Sequence, residues 1–141
     1  MACIMIDIDN FRQFNSQHGH LAGDWVLKSA AGCLVKNLRK VDIVARYGGD
    51  EFVILQPRST LENASKRAKS LCKMVATQIW ESPYGRLNIT ISLGISASPP
   101  APIPEDHCII EYADKALYEA KRRGGNCAVV DGHFSRNENQ E

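Results

Sequence analysis

The sequence predicts an α/β domain of the α+β kind, with a central, mostly antiparallel sheet flanked by helices. Three observations predict it. Apolar residues alternate between strand and helix periods along the chain. The segments fall in the order β-α-β-β-α-β, with one more helix and strand after them. The first six match the split βαβ, ferredoxin-like arrangement, so the last two are C-terminal additions to that core.

Each element has its own signal. Ala2 to Ile8 is a near-continuous apolar run, as a strand buried on both faces requires. Leu27, Ala31, Leu34 and Leu38 recur at helical spacing and predict a first helix after Gly23. Ile43 to Tyr47 and Phe52 to Leu55 predict two strands joined at Gly48-Gly49-Asp50-Glu51. Glycine there is expected to supply positive φ to the turn. Leu61, Ala64, Ala68, Leu71, Val75 and Ile79 predict a second helix. Leu87, Ile89, Ile91, Leu93 and Ile95 alternate with polar or small residues, the pattern of one strand. Ser98 to Pro104 carries four prolines and predicts a loop. A third helix follows, from Ile109 through Ala120, ended by Gly124-Gly125, and Cys127 to Val130 is a last short strand. Residues 1–131 are expected to form the domain, and 132–141 a polar, frayed tail.

Composition excludes several classes. The 141 residues suit one domain, and a net charge of +1 supplies no bulk field for a nucleic-acid polymer or an anionic membrane. An RNA-binding sheet of this topology also needs paired exposed aromatics, which no strand offers. Five cysteines without a CxxC argue against a zinc site or a disulfide framework and for reduced thiols, hence a cytoplasmic location. Met1 to Ile6, the longest apolar run, is far too short to span a bilayer.

The acids carry the chemistry. Asp7 and Asp9 lie two apart at the end of the first strand, so they are expected on one side of it. Singly, each reads as a helix or turn cap. Together with Asp50 and Glu51 they read as ligands of a divalent cation, because Mg²⁺ takes hard oxygen donors plus substrate phosphates. Gly48 and Gly49 leave a flat surface that a large ligand can approach.

Gly48-Gly49-Asp50-Glu51-Phe52 resembles the signature of GGDEF domains, the diguanylate cyclase family. The resemblance runs from Ala2 to about Val130 and includes DIDNFRQFN, HGHLAGD, RKVD, ITISLGIS and ADKALYEAK, in the family's order. It implies condensation of two GTP molecules into cyclic di-GMP with release of pyrophosphate. The reaction would take place in an antiparallel homodimer in which each domain holds one GTP. It also implies an upstream sensor or receiver domain in the full-length protein.

Site residues follow from the same resemblance. Asp7, Asp50 and the Ile8 carbonyl would hold Mg²⁺ or Mn²⁺. Glu51 would assist deprotonation of the 3′-hydroxyl or hold a second ion. Gly48 and Gly49 would lie against the nucleotide. Asn15 and Asp24 would read guanine; Asp24 by itself also reads as a helix N-cap. Asn10 and Phe11 would offer backbone N–H groups to the phosphates, and Arg12 stands where the family has Lys. Lys121 would bind phosphate, or serve as a cation at a helix C-terminus. Arg39 and Asp42 fit RxxD, the family's inhibitory product site, and also fit a plain surface ion pair; Lys66, Arg67 or Lys69 would add a second cation. His18 and His20 read as structural, since no third ligand lies near in sequence.

Two departures stand out. The family ends its last helix with Gly-Arg-Asn, and this chain has Gly124-Gly125-Asn126, so terminal-phosphate affinity is expected to be weaker unless Arg122 or Arg123 substitutes. The family's D-x-L-T-G-L-x-N-R-R leader is also missing, which fits a strand that begins at residue 2. The rival reading is a degenerate GGDEF domain that senses GTP or cyclic di-GMP without turnover.

Overall fold

The structure, a computed structural model, describes residues 1–99 and 108–132. Its elements are β1 (Ala2–Ile8), α1 (Phe11–His18), α2 (His20–Lys36), β2 (Ile43–Arg46), β3 (Glu51–Gln56), α3 (Leu61–Thr77), β4 (Trp80–Ser82), β5 (Gly85–Leu87), β6 (Ile91–Ala97), α4 (Ile109–Arg122) and β7 (Ala128–Val130). The main sheet runs β2-β3-β1-β6-β7, and every pairing is antiparallel except β6 with β7. The first four strands of that sheet have the ferredoxin-like order, and β6-α4-β7 adds a parallel crossover. The predicted α/β class, a central sheet flanked by helices, is the observed one.

β1 explains the architecture. All seven of its residues are buried, because both faces of the sheet are covered. Ile4, Ile6 and Ile8 point into a large core shared with Val26, Leu34, Leu71 and Val75 of α2 and α3. Cys3 and Met5 point the other way, against Ala113 and Leu117 of α4. Asp7 shares that second face. At Gly94 of β6 an added Cβ would lie 2.1 Å from the Ala113 carbonyl oxygen, so α4 rests directly on the strand.

Several elements differ from the sequence reading. The predicted first helix is two helices, broken at Gly19 (φ 88°) rather than begun after Gly23. Gly23 lies inside α2 because Asn15 of α1 packs on it; an added Cβ would sit 1.8 Å from Asn15 Oδ1. The buried stripe of α2 is Ala22, Gly23, Val26, Leu27, Ala30 and Leu34; Ala31 and Leu38 are partly buried against the same core, although Leu38 lies past the helix end. Ile79 likewise falls beyond α3 and is exposed. The predicted strand from Leu87 to Ile95 is β5 followed by β6. β4 and β5 form a separate hairpin pinned by Trp80, whose Nε1 donates to the Val75 carbonyl at 3.1 Å and whose ring meets Trp25 edge-on. The proline-rich stretch beyond Pro99 and the tail beyond Gly132 lie outside the described residues. No helix among the described residues is long and apolar enough to cross a membrane.

Candidate active site

The β1–β3 register builds the acidic centre. Asp7 pairs across the ladder with Glu51, and the Ile8 amide donates to the Asp50 carbonyl at 3.2 Å. One carboxylate oxygen each from Asp7, Asp50 and Glu51 falls within 4.8 Å of the others. Like charges directly across a ladder destabilise it, so the cluster asks for a cation. Lys121, on α4, meets Asp7 Oδ2. The other oxygen, Asp7 Oδ1, is buried with no hydrogen-bond partner among the described residues. Burial, then the charges of Asp114 and Asp50, push the Glu51 carboxyl above its ordinary range. Burial also lowers Lys121. An orphaned buried oxygen among three hard acidic donors fits a divalent cation.

Asp9 is not part of that cluster. It accepts from Thr90 Oγ1 at 2.6 Å, Ser92 Oγ at 2.5 Å and the Asn126 amide at 2.8 Å. Asp9 does lie on the side of β1 that Asp7 faces, lining the same cavity, but it is not grouped with the other acids, because Thr90, Ser92 and the Asn126 amide occupy its carboxylate.

The Gly48-Gly49 turn also differs from expectation, since neither glycine is among the residues with positive φ. An added Cβ at Gly48 would approach Glu51 Oε2 at 3.3 Å, whereas nothing lies within 4 Å of one at Gly49. The glycines therefore keep one wall of the site low. Arg46, which sequence reasoning missed, straps the turn: Nε donates to the Gly48 carbonyl at 3.2 Å and Nη2 to the Gly49 carbonyl at 2.7 Å.

Two cavities adjoin the acids. One, of about 600 Å³, is lined by Asn15, Asp24, His20, Arg46, Gly49 and Asp50. The other, of about 440 Å³, is lined by Asp7, Ile8, Asn10, Lys121 and the Gly124-Gly125 turn. Phe11, Arg12 and Asp50 belong to both, so they form one continuous cleft. No side chain caps α1, whose first turn faces this cleft. Asp24 lies inside α2 and is no N-cap. His18 packs against the Phe14 ring, centroids 4.6 Å apart and planes tilted by 35°. Asn15 Oδ1 is buried without a partner against Gly23. Gly23→Ala is expected to displace that carboxamide and weaken any ligand held in this lobe of the cleft by roughly tenfold, with the fold retained. Calorimetric titration beside a melting curve checks both halves.

Arg39 and Asp42 lie apart from the cleft and are paired with each other. Arg39 donates to Asp42 through its amide (2.9 Å), Nε (3.1 Å) and Nη2 (2.8 Å), and Gln56 Nε2 adds a donor at 3.1 Å. The Asp42 side chain has no exposed surface. Here its carboxylate orients Arg39. Arg39, Arg58, Lys66 and Arg67 line a cavity of about 430 Å³ beside the pair; Lys69 does not. Burial raises the Asp42 pKa, but the Arg39 and Gln56 donors outweigh it and the net shift is downward. A depressed carboxyl stabilises the fold above its unfolded pKa of about 3.9 and loses that contribution as pH falls through the folded value. The melting-temperature gap between wild type and Asp42→Asn is therefore expected to be widest near neutral pH and to close below about pH 4.

The family described as "Diguanylate cyclase, GGDEF domain" matches residues 1–127. This chain belongs to the GGDEF family. The GGDEF chain is 43% identical to diguanylate cyclase DgcP of Pseudomonas aeruginosa over 120 residues, 85% of this chain and 18% of DgcP. It is 37% identical to the response regulator PleD of Caulobacter vibrioides over 132 residues, 92% of this chain and 29% of PleD. It thus spans less than a third of the length of either curated relative. Among solved structures, the active GGEEF domain of a Vibrio cholerae diguanylate cyclase superposes with a TM-score of 0.81 at 32% identity, covering 92% of this chain and 81% of that one. The GGDEF domain of Caulobacter crescentus DgcB, solved with c-di-GMP, gives 0.83 at 28% identity, covering 92% and 77%.

The same site explains one departure in this GGDEF domain. Gly125 has φ 79°, and an added Cβ would lie 2.9 Å from the Asp9 carboxyl, so the turn as built leaves no room for a side chain there. Arg122 and Arg123 both pair with Glu119, at 3.2 and 3.3 Å, and line neither lobe of the cleft.

Proposed function

We propose that residues 1–131 are the catalytic domain of a diguanylate cyclase, joining two GTP molecules into cyclic di-GMP with release of two pyrophosphates. The observation that carries this is the acidic centre of Asp7, Asp50 and Glu51, with an orphaned Asp7 oxygen, at the joint of a two-lobed cleft. Guanine occupies the lobe of Asn15 and Asp24, whose acceptors pair with its N1–H and 2-amino groups. Adenine lacks the 2-amino donor and would leave the Asp24 carboxylate without its partner in the complex, which favours GTP. The phosphates occupy the lobe of Lys121, Arg12 and the α1 N-terminus, where a cation and free helix N–H groups suit an anion.

Asp7, Asp50 and the Ile8 carbonyl would hold Mg²⁺ or Mn²⁺. When bound, the ion neutralises charge on the attacking and leaving oxygens of an in-line displacement. Glu51, with its carboxyl raised, accepts the 3′-hydroxyl proton or holds a second ion. Each freed 3′-oxygen bonds to the α-phosphorus of the other GTP, and the bond to pyrophosphate breaks. One domain binds one GTP, so an antiparallel homodimer is required. The cavity beside Arg39 is the inhibitory product site, where Arg58, Lys66 and Arg67 supply further cations for a ligand with two phosphates. An upstream sensor or receiver domain sets the dimer in the full-length protein, in the cytoplasm.

The test is to incubate the purified chain at high concentration with Mg²⁺ and GTP and to seek cyclic di-GMP by chromatography and mass. Wild type is expected to form it. Asp50→Ala should abolish its formation while still binding added cyclic di-GMP through Arg39. Bound GTP without product would favour a sensing domain, and loss of both would sink the nucleotide reading.

A further inference from the structure

We propose that Gln56 selects the ligand of the cavity beside Arg39, by requiring an N–H donor from a nucleobase. The inference rests on the reading of that cavity as the product site, and names the residue that reads the base there. Gln56 ends β3, at the opposite end of the strand from Glu51. Phe52, Ile54 and Gln56 share one face of that strand. The first two are core residues, and Gln56 is as deeply buried, at 3% exposure. A polar side chain in a core position is costly unless its groups are paired.

One of its two groups is paired. Gln56 Nε2 donates to Asp42 Oδ2 at 3.1 Å. That bond fixes the amide, since the reverse orientation would set its carbonyl oxygen against a carboxylate. Oε1 is left buried with no hydrogen-bond partner among the described residues.

Asp42 cannot serve the ligand in its place. Its side chain has no exposed surface, and its two oxygens already accept four bonds, three from Arg39 and one from Gln56. That fills the acceptor sites of a carboxylate. The cavity that Gln56 helps to wall carries Arg39, Arg58, Lys66 and Arg67, and no acid. Those cations suit phosphates, but an ionised phosphate brings no donor for Oε1. A base edge with N–H groups, such as guanine N1–H and the 2-amino group, supplies that donor while the phosphates meet the cations. A ligand without the donor leaves the acceptor unpaired and is rejected.

The test is calorimetric titration of the intact chain, in chelator, with cyclic di-GMP and with pyrophosphate, which has the charge but no base. Cyclic di-GMP is expected to bind the wild type more tightly. Gln56→Leu should weaken cyclic di-GMP by roughly tenfold and leave pyrophosphate unchanged. Gln56→Met is the second variant, and melting curves establish that each is folded. Unchanged affinity for cyclic di-GMP in both variants overturns the inference. So does an equal loss for the two ligands, which would mean that Gln56 acts only by holding Asp42 and Arg39 in place. Arg39→Ala locates the site. Cyclic di-GMP binding that survives Arg39→Ala, or none in the wild type, would instead overturn the product-site reading itself.

Discussion

On the proposed cyclase reading, Asp7→Asn is expected to slow cyclic di-GMP formation by roughly a thousandfold, because several kcal/mol of transition-state charge stabilisation would pass through this carboxylate. Asp7 is 3% exposed and lies directly across from Glu51. Asparagine keeps the shape, so β1 and its neighbours stay packed. What disappears is one of the negative charges that converge at the centre. Lys121 loses its partner, but its side chain is 44% exposed and water can take over. Melting temperature in chelator should therefore change little. Adding Mn²⁺ should raise the wild-type melting temperature by mass action, and raise the variant's much less. Affinity for cyclic di-GMP at the Arg39 cavity should be unaltered, which separates a damaged centre from a damaged fold. A variant with wild-type turnover and a full Mn²⁺ response would remove Asp7 from the ion.

How much of this was legible in the sequence follows from which physics each residue obeys. β1 and the β2–β3 hairpin were legible because burial on both faces of a sheet, and a polar four-residue break between apolar runs, leave strong one-dimensional traces. The acids at 7, 50 and 51 were legible as a group because their repulsion needs a reason. α1 left little trace: none of its residues is fully buried, and its two phenylalanines, which stack on each other, are only partly buried against the core. Gly23 misled because a glycine inside a helix looks like a boundary. Its cause is a side chain from another helix, and such close approaches have no period. Asp9 misled similarly, since its donors lie more than eighty residues along the chain. Arg46 could have been found as a cation beside a glycine turn with bare carbonyls, but its two hydrogen bonds depend on a turn geometry that composition does not set.

Among the described glycines, Gly94→Ala is expected to have the largest effect on stability. The new Cβ would lie 2.1 Å from the Ala113 oxygen and 2.2 Å from the Leu117 nitrogen, both backbone atoms of α4. No rotamer change relieves that contact, so the helix must lift from β6. Overpacking of this kind costs about 3 kcal/mol, which in a domain of this size is a fall of roughly 10 °C in melting temperature. The damage should reach the site, because α4 also carries Lys121 and the turn tied to Asp9. Nucleotide affinity is therefore expected to fall even at temperatures where the variant is folded. Gly32→Ala is the matched control. Gly32 is an exposed glycine within α2 with open space around its Cβ position, and alanine there favours the helix by about 1 kcal/mol. The two substitutions add the same atom to the same chain and should move the melting temperature in opposite directions. If Gly94→Ala melts with wild type, α4 is not held against the strand as closely as the backbone contacts require, and the placement of Lys121 beside Asp7 loses its support.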